Sequence, residues 1–353
     1  MHSWQGCRVL ILELTGQCNF ACRYCYAAGK KPLSMPLAVA KQAVASVAAS
    51  QESQEPFLVQ FTGGEPLLAA EALLKTAAWI RERKWPAVLQ VQTNGSLLTA
   101  ELVKQLRQYG VGVGVSVDGR PAVHDQMRCF PDGKGTMQSV ALGMKNLAEE
   151  KCGAGVTCVV TAENVLKLSE TVDMACYFGC ARSLGFDLLR PRGRGDQVQT
   201  PQAAQVEQGF WQALERNEFW RKANGGSLEM AQVARVDKLQ QRTLACFGHC
   251  HAMTGEALYV AADGSLYACA SLSGDAHFYL GRVEEGPEPL LRKRAAERVC
   301  DGMAMCRNCQ WLPHCGGGCF SRWYDAQGAP QNVEGECALK RTAARWWLQE
   351  HKQ

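Results

Sequence analysis

The stretch that decides the fold runs Val9-Leu10-Ile11-Leu12-Glu13-Leu14, then Thr15-Gly16-Gln17, then Cys18-Asn19-Phe20-Ala21-Cys22-Arg23-Tyr24-Cys25. A β-rich run is followed at once by three cysteines in the pattern Cys-x3-Cys-x2-Cys. Three thiolates in so tight a loop can hold three irons of a 4Fe–4S cluster, which ordinarily takes four cysteines. The fourth iron is then open to a ligand that is not protein. The competing reading is a zinc site or a loop of free thiols. A structural zinc needs a fourth ligand nearby, and His2 is distant in sequence. The cluster reading is the stronger.

Working outward, the first 190 residues alternate two patterns. Short β-rich runs cover Val9–Leu14, Phe57–Thr62, Val88–Thr93, Val111–Val117, Gly155–Val160 and Phe186–Leu189. Helical segments lie between them, at Leu37–Ala49, Ala70–Arg83, Ala100–Tyr109, Met137–Glu150 and Val165–Phe178. Strand, helix, strand repeated this way predicts an α/β fold with a parallel sheet covered by helices. Periodicity does not choose between a doubly wound sheet and an incomplete barrel. In either case the chemistry belongs in loops after the carboxyl ends of the strands.

The second motif, Thr62-Gly63-Gly64-Glu65-Pro66, ends the second strand. Two glycines let backbone approach a ligand closely. Alone, Gly-Gly-Glu is an ordinary strand-to-helix turn. The third and fourth strands end in Thr93-Asn94-Gly95 and Ser116-Val117-Asp118-Gly119, followed by His124-Asp125 and Arg128. Each is a common turn with capping residues. His124 and Arg128 read as loop anchors on the plainer view.

The chain has 353 residues and 18 cysteines. A chain of that length buries a sizeable core without covalent staples. No secretory signal opens it and no apolar run is long enough to span a membrane, so a cytoplasmic, reducing setting is expected. Cysteine there points to metal or redox chemistry. Charge is mild, 38 basic against 34 acidic residues, which argues against a nucleic-acid binder. Arg190, Arg192 and Arg194 form the densest basic cluster, read as a solvated loop rather than an anion clamp.

The composition changes after Leu244. Nine cysteines fall between Cys246 and Cys337, with many glycines and few helical patterns. Asp263-Gly264 marks a hairpin. This region reads as a small domain organised by metal rather than by a core. Its spacing is Cys250-x13-Gly264-x4-Cys269, then Cys306-x2-Cys309-x5-Cys315-x3-Cys319, then Cys337. The four-cysteine portion alone is compatible with zinc, so a zinc-ribbon binding protein is the non-enzymatic alternative. Cys246 supplies an eighth thiol, and His249 and His251 flank Cys250 as possible competitors. Eight thiolates would saturate two further 4Fe–4S clusters.

At these residues the chain resembles the radical S-adenosylmethionine enzymes with a C-terminal SPASM domain. The loop Cys18–Cys25 resembles their signature loop, and Gly63-Gly64-Glu65-Pro66 resembles their motif for the methionine amino group. The resemblance implies an incomplete (βα)6 barrel. Residues 1–200 would form it, 201–245 a helical linker, 246–340 the SPASM domain and 341–353 a terminal helix. It implies that S-adenosylmethionine chelates the open iron and is cleaved to a 5′-deoxyadenosyl radical that abstracts hydrogen from substrate. Tyr24, Asn94, Ser116, Asp118 and Arg128 would contact the cofactor. Two auxiliary clusters are implied, one on Cys246, Cys250, Cys269 and Cys319, the other on Cys306, Cys309, Cys315 and Cys337.

The layout is similar to that of sulfatase-maturing and ribosomal-peptide-maturing enzymes. That similarity implies a peptide or protein substrate and a low-potential electron donor such as a flavodoxin or ferredoxin, with no nucleic acid and no membrane. Sulfatase-maturing members carry an aspartate after the cysteine corresponding to Cys269. Here Ala270 and Ser271 follow, which sets formylglycine formation behind other oxidative peptide modifications. A small-molecule dehydrogenase is the runner-up. No catalytic residue is assigned, and Cys129, beside Arg128, is the one candidate thiol.

Overall fold

The computed structural model describes residues 4–51, 55–324 and 333–351. His2 and part of the expected 246–340 domain lie outside them. Six parallel strands alternate with helices: β1 Val9–Thr15, α1 Leu37–Ser50, β2 Phe57–Gly63, α2 Ala70–Glu82, β3 Ala87–Thr93, α3 Ala100–Gln108, β4 Val111–Ser116, α4 Pro121–Met127, α5 Met137–Glu149, β5 Ala154–Val160, α6 Leu168–Tyr177 and β6 Ala181–Leu188. They pair in chain order, as a run of βα units requires.

Each strand shows two faces. Phe57, Val59 and Phe61 of β2 are buried, while Leu58, Gln60 and Thr62 are only half-buried. In β4, Val111, Val113 and Val115 are buried and Gly112, Gly114 and Ser116 are not. Parallel sheets covered on both faces read as continuous apolar runs. The alternation here marks one face under helices and one open polar trough. Helices follow the same logic: Ala40, Ala43, Val44 and Val47 put one stripe of α1 into the core, and Thr99 caps α3 by accepting from Leu102 N at 3.2 Å.

Two expectations are corrected along the barrel. His124 lies on a helix rather than a loop, because Pro121 suits a first turn and Val123 and Met127 bury one face of α4. Strand β6 begins at Ala181, five residues before the expected Phe186. Arg182, Ser183 and Gly185 hide it: Arg182 is exposed at a shift in register with β5, and Ser183 and Gly185 alternate with buried Leu184 and Phe186.

The rest comprises α7 Ala203–Asn224, β7 Glu229–Met230, α8 Ala231–Gln240, β8 Ala257–Val260, β9 Ser265–Tyr267, β10 Tyr279–Arg282, β11 Gly286–Pro287, α9 Pro289–Gly302, α10 Ala304–Arg307, α11 Leu312–Cys315 and α12 Val333–Glu350. The Asp263-Gly264 turn joins β8 and β9 as an antiparallel hairpin. That hairpin does not stand apart. Strand β8 runs parallel to β1, with Val9 opposite Ala257 and Leu12 opposite Val260. One open sheet therefore runs from β11 at one edge to β7 at the other. Leu258, Leu266, Phe278 and Trp323 join the same buried cluster as Leu10 and Leu12. The expectation of a coreless C-terminal domain is corrected: across residue 245 both sheet and core are shared.

Candidate active site

The cysteine loop leaves β1 at the carboxyl end of the strands and is fastened along three seams. On one side Gly64 N donates to Thr15 O and Glu65 N to Gln17 O, each at 2.7 Å. A Cβ on Gly64 would sit 2.2 Å from Gln17 O. The two glycines therefore admit the loop's own backbone, and both also border the cavity beside it. On the second side Ala21 N donates to Cys129 O at 2.7 Å and Arg23 N to Met127 O at 2.8 Å. On the third, Arg194 N donates to Cys25 O at 3.1 Å and Arg194 Nε to Cys22 O at 2.8 Å.

Cys18, Cys22 and Cys25 line one cavity of about 490 Å³ with Tyr24, Gly63, Gly64, Asn94, Ser116 and Arg128. Burial, partly offset by Arg128, pushes the Cys22 thiol up to about 12, and Cys25 and Cys18 lie near enough to add to the rise. Glu65, Pro66, Asp118 and Cys129 are not on the cavity wall. Glu65 is buried and spends its carboxylate on Leu67 N at 3.0 Å, Thr93 Oγ1 at 2.6 Å and Asn94 N at 2.7 Å. It ties the end of β2 to the end of β3. Cys129 serves the second seam, its Sγ donating to Ala21 O at 3.5 Å. Glu65, Asp118 and Cys129 are thus held by hydrogen bonds behind that wall.

Asp118 is the hub of that support. Its Oδ2 accepts from the Tyr24 hydroxyl and from Arg128 Nε at 3.0 Å, and its Oδ1 from Val159 N at 3.0 Å. Arg128 lies 5.2 Å over the Tyr24 ring. Its end nitrogens have no acceptor among the described residues and border the cavity. Asn94 accepts from Ser96 and donates to Asn19 Oδ1 at 2.8 Å, inside the cysteine loop.

Sequence reading missed part of the wall. Gln60, Gln92 and Thr157 project into the cavity, as do Asp187 and Arg190. The polar half of the strand alternation was the available signal for the first three. The arginine cluster is not a solvated loop. Arg190 pairs with Asp187 at 3.5 Å and covers the Tyr26 ring at 5.3 Å. Arg192 donates to Ser271 O at 2.8 Å and pairs with Asp275 at 3.6 Å.

A second cavity of about 380 Å³ shares Tyr26 through Lys30 with the first. Its far wall holds Ala270, Ser271 and Ser273, directly after Cys269. Two carboxylates among the described residues line the same cavity: Glu13 is committed to Lys30 at 2.5 Å and to Ala262 N at 3.0 Å, and Asp263 accepts from Ser265 N at 3.0 Å.

The remaining thiols sort into two neighbourhoods. Burial pushes Cys250 up to about 11, with Cys319 and Cys269 adding to it. Burial also pushes Cys337 up to about 11, with Cys306 and Cys315 among its neighbours. Cys306, Cys309, Cys315 and Cys337 line one cavity of about 50 Å³. Cys246 is exposed and directs its Sγ to Leu312 O at 3.6 Å. Among the described residues no three His, Cys, Asp or Glu side chains already converge on a metal-sized point.

Thiolate sets of this kind fit iron–sulfur clusters, and buried polar atoms beside them lack a protein partner. A buried polar atom without a partner costs about 1–3 kcal/mol. Those left so among the described residues are Arg190 Nε, His249 Nδ1, His314 Nδ1, Arg322 Nε and Trp323 Nε1, while Glu336 Oε1 faces Lys340 Nζ at 3.3 Å. All belong to the C-terminal cysteine region or to the arginine facing it. Arg190 Nε, Arg322 Nε and Trp323 Nε1 are N–H donors, and a group rich in sulfur is a partner that such donors can use.

Residues 12–174 match the model of the Radical SAM superfamily. An uncharacterized protein of Methanocaldococcus jannaschii is 28% identical over 271 residues, covering 76% of this chain and 87% of that protein. The serine-type anaerobic sulfatase-maturating enzyme of Klebsiella aerogenes is 28% identical over 291 residues, covering 78% of this chain and 69% of that enzyme. Native anSMEcpe with bound AdoMet and Kp18Cys peptide aligns with a TM-score of 0.79 at 19% identity, covering 97% of both chains. That last likeness is one of fold. No helix among the described residues is long and apolar enough to cross a membrane.

Proposed function

We propose that this chain, a radical S-adenosylmethionine enzyme, oxidatively modifies or crosslinks a side chain of a peptide or protein. The observation that carries the reading is the pair of joined cavities. One holds Cys18, Cys22 and Cys25, and the other runs from their loop to the wall after Cys269. A substrate lying in the second would touch both cysteine regions. The sulfatase-maturating relative and the peptide bound to anSMEcpe support a peptide there.

S-adenosylmethionine on a 4Fe–4S cluster supplies hydrogen-atom abstraction from an unactivated C–H bond. The chain's own residues do the placing. Cys18, Cys22 and Cys25 would each hold one iron. Arg128, with its end nitrogens unspent, would face the cofactor carboxylate, and Ser116 would offer a hydroxyl beside it. Asp118 keeps Arg128 and Tyr24 in register. Cys306, Cys309, Cys315 and Cys337 would hold one auxiliary cluster, and Cys250, Cys269 and Cys319 most of another. All 18 cysteines are free thiols, in keeping with a reducing, cytoplasmic setting and electrons from a flavodoxin or ferredoxin.

Formylglycine formation is less favoured. Ala270 puts no carboxylate directly after Cys269, Glu13 is already engaged by Lys30, and Asp263 accepts from Ser265 N. The test begins with iron and sulfide in anaerobically purified protein, expected at about twelve of each per chain. Zinc without labile sulfide would sink the assignment. Replacing Cys18, Cys22 and Cys25 with alanine is expected to abolish reductive cleavage of S-adenosylmethionine. A peptide encoded beside the gene, incubated with the enzyme, cofactor and dithionite, should lose hydrogens in pairs by mass. Cofactor cleavage with that peptide unchanged and a small alcohol consumed would favour a dehydrogenase instead.

A further inference from the structure

Cations gather beside Cys319. Arg322 N donates to Cys319 O at 3.0 Å, and its guanidinium binds Asp187 and Glu336. Lys340 lies 3.3 Å from Glu336 and donates through Nζ to Gly317 O. Arg190 pairs with Asp187 at 3.5 Å. A fourth cation, Arg235, comes from α8. One turn on from it, Leu239 packs so closely on the chain that a Cβ at Gly316 would lie 2.9 Å from Leu239 Cδ1. The face of α8 that carries both residues is therefore laid against the segment 315–319. The charged neighbours of Arg235 are Glu336, Arg322, Cys319 and Cys315.

Arg235 differs from the other three. It is half-buried, and it makes no hydrogen bond or close ion pair among the described residues. Glu336 does not serve it, since its two oxygens are taken by Arg322 and Lys340. Asp187 is divided between Arg322 and Arg190. Four cations facing two carboxylates leave a surplus of two positive charges among these described residues. Drawing an unpaired cation out of water is costly. The other neighbours of Arg235 that can carry negative charge are the thiols of Cys319 and Cys315. Arg190, Arg235, Arg322 and Lys340 all have Cys319 among their charged neighbours.

We infer that the unpaired charge of Arg235 raises the reduction potential of the auxiliary centre that includes Cys319, and so makes that centre easier to reduce. This rests on the proposed auxiliary clusters. A cluster held by thiolates is an anion, reduction adds one more negative charge, and net charge is one of the levers on its potential. A fixed cation inside the protein, where salt screens little, favours the reduced form. One electron enters the centre, and no proton moves at Arg235, because its guanidinium stays charged.

The experiment uses full-length, anaerobically reconstituted enzyme, with iron analysis and potentiometry followed by electron paramagnetic resonance. Arg235→Gln keeps a polar side chain and loses the charge. It should keep the wild-type iron and move one auxiliary midpoint downward by about tenfold in the ratio of reduced to oxidised centre, which is about 59 mV for one electron. Arg235→Lys keeps the charge, and both of its midpoints should stay at the wild-type values. Iron lost from Arg235→Gln and kept in Arg235→Lys would also bear the inference out, since charge separates the two variants. Unchanged midpoints in Arg235→Gln, or a fall in Arg235→Lys as large as in Arg235→Gln, would overturn it. Loss of iron from both variants would overturn it as well, leaving Arg235 a packing role. Iron for fewer than three clusters in the wild type would instead bring down the reading on which the inference rests.

Discussion

The imidazole of His124 stays neutral because burial pushes its pKa down to about 4. It accepts from Asp118 N at 3.3 Å through Nδ1, so its Nε2–H faces Thr136 Oγ1 at 3.1 Å. The Thr136 hydroxyl in turn donates to Arg128 O at 2.7 Å. One ring thus fixes both ends of the segment that carries Asp118 and Arg128. The unfolded histidine takes its proton near pH 6.5, and the folded one only near 4. Stability is therefore complete above pH 6.5 and falls as pH drops toward 4, by about 1.4 kcal/mol per pH unit within that window. His124→Asn should lower the urea midpoint at pH 7.5 and flatten its decline between pH 7.5 and 5.5. An unchanged decline would show that another group titrates there. The motif around His124 was legible in sequence. So was its anchoring role, but not its partner, because Thr136 reaches it from the start of a different helix.

At the scale of elements, the cysteine loop is a strip sewn to three neighbours, and the seams differ in tolerance. A methyl on Gly64 would meet the backbone of Gln17, and backbone yields little. Gly64→Ala should therefore cost about four irons per chain and lower cofactor cleavage more than tenfold. Arg194→Ala removes one partly exposed bond to Cys22 O, and its iron content should match the wild type. Equal iron in both variants would refute the seam. The strands were legible because a polar trough forces a two-residue period on β2 through β5. The first half of β6 was not, since Arg182, Ser183 and Gly185 interrupt that signal. The place of β8 was also hidden, because its parallel partner β1 lies far back in the chain, with Val9 opposite Ala257. Arg190 and Asp187 were missed at the site for the same reason: what makes them part of a wall is Arg322, far along the sequence.

At the scale of the whole molecule, the question is whether barrel and cysteine-rich region are separate bodies. Asp187, next to last in β6, lines the cavity of Cys18, Cys22 and Cys25, and Arg322 binds both it and Glu336. Lys340 extends the row to Glu336 at 3.3 Å. Glu336 and Lys340 both border the cavity of the four-cysteine group. This row of alternating charge spans the two regions, beside a shared sheet and one core. Trp211 of α7 meets Trp346 of α12 edge-on at 5.2 Å, closing the other flank. Neither half buries its apolar surface without the other, so unfolding should be one transition, coincident by circular dichroism and tryptophan fluorescence. Removing one member of a buried ionic row strands its partners at a cost of about 3–5 kcal/mol. Arg322→Met leaves two carboxylates facing each other's field, and it should lower the midpoint of that single transition without splitting it. Two resolved transitions, in wild type or variant, would mean that the cysteine-rich region folds by itself and that the shared sheet does not couple it to the barrel.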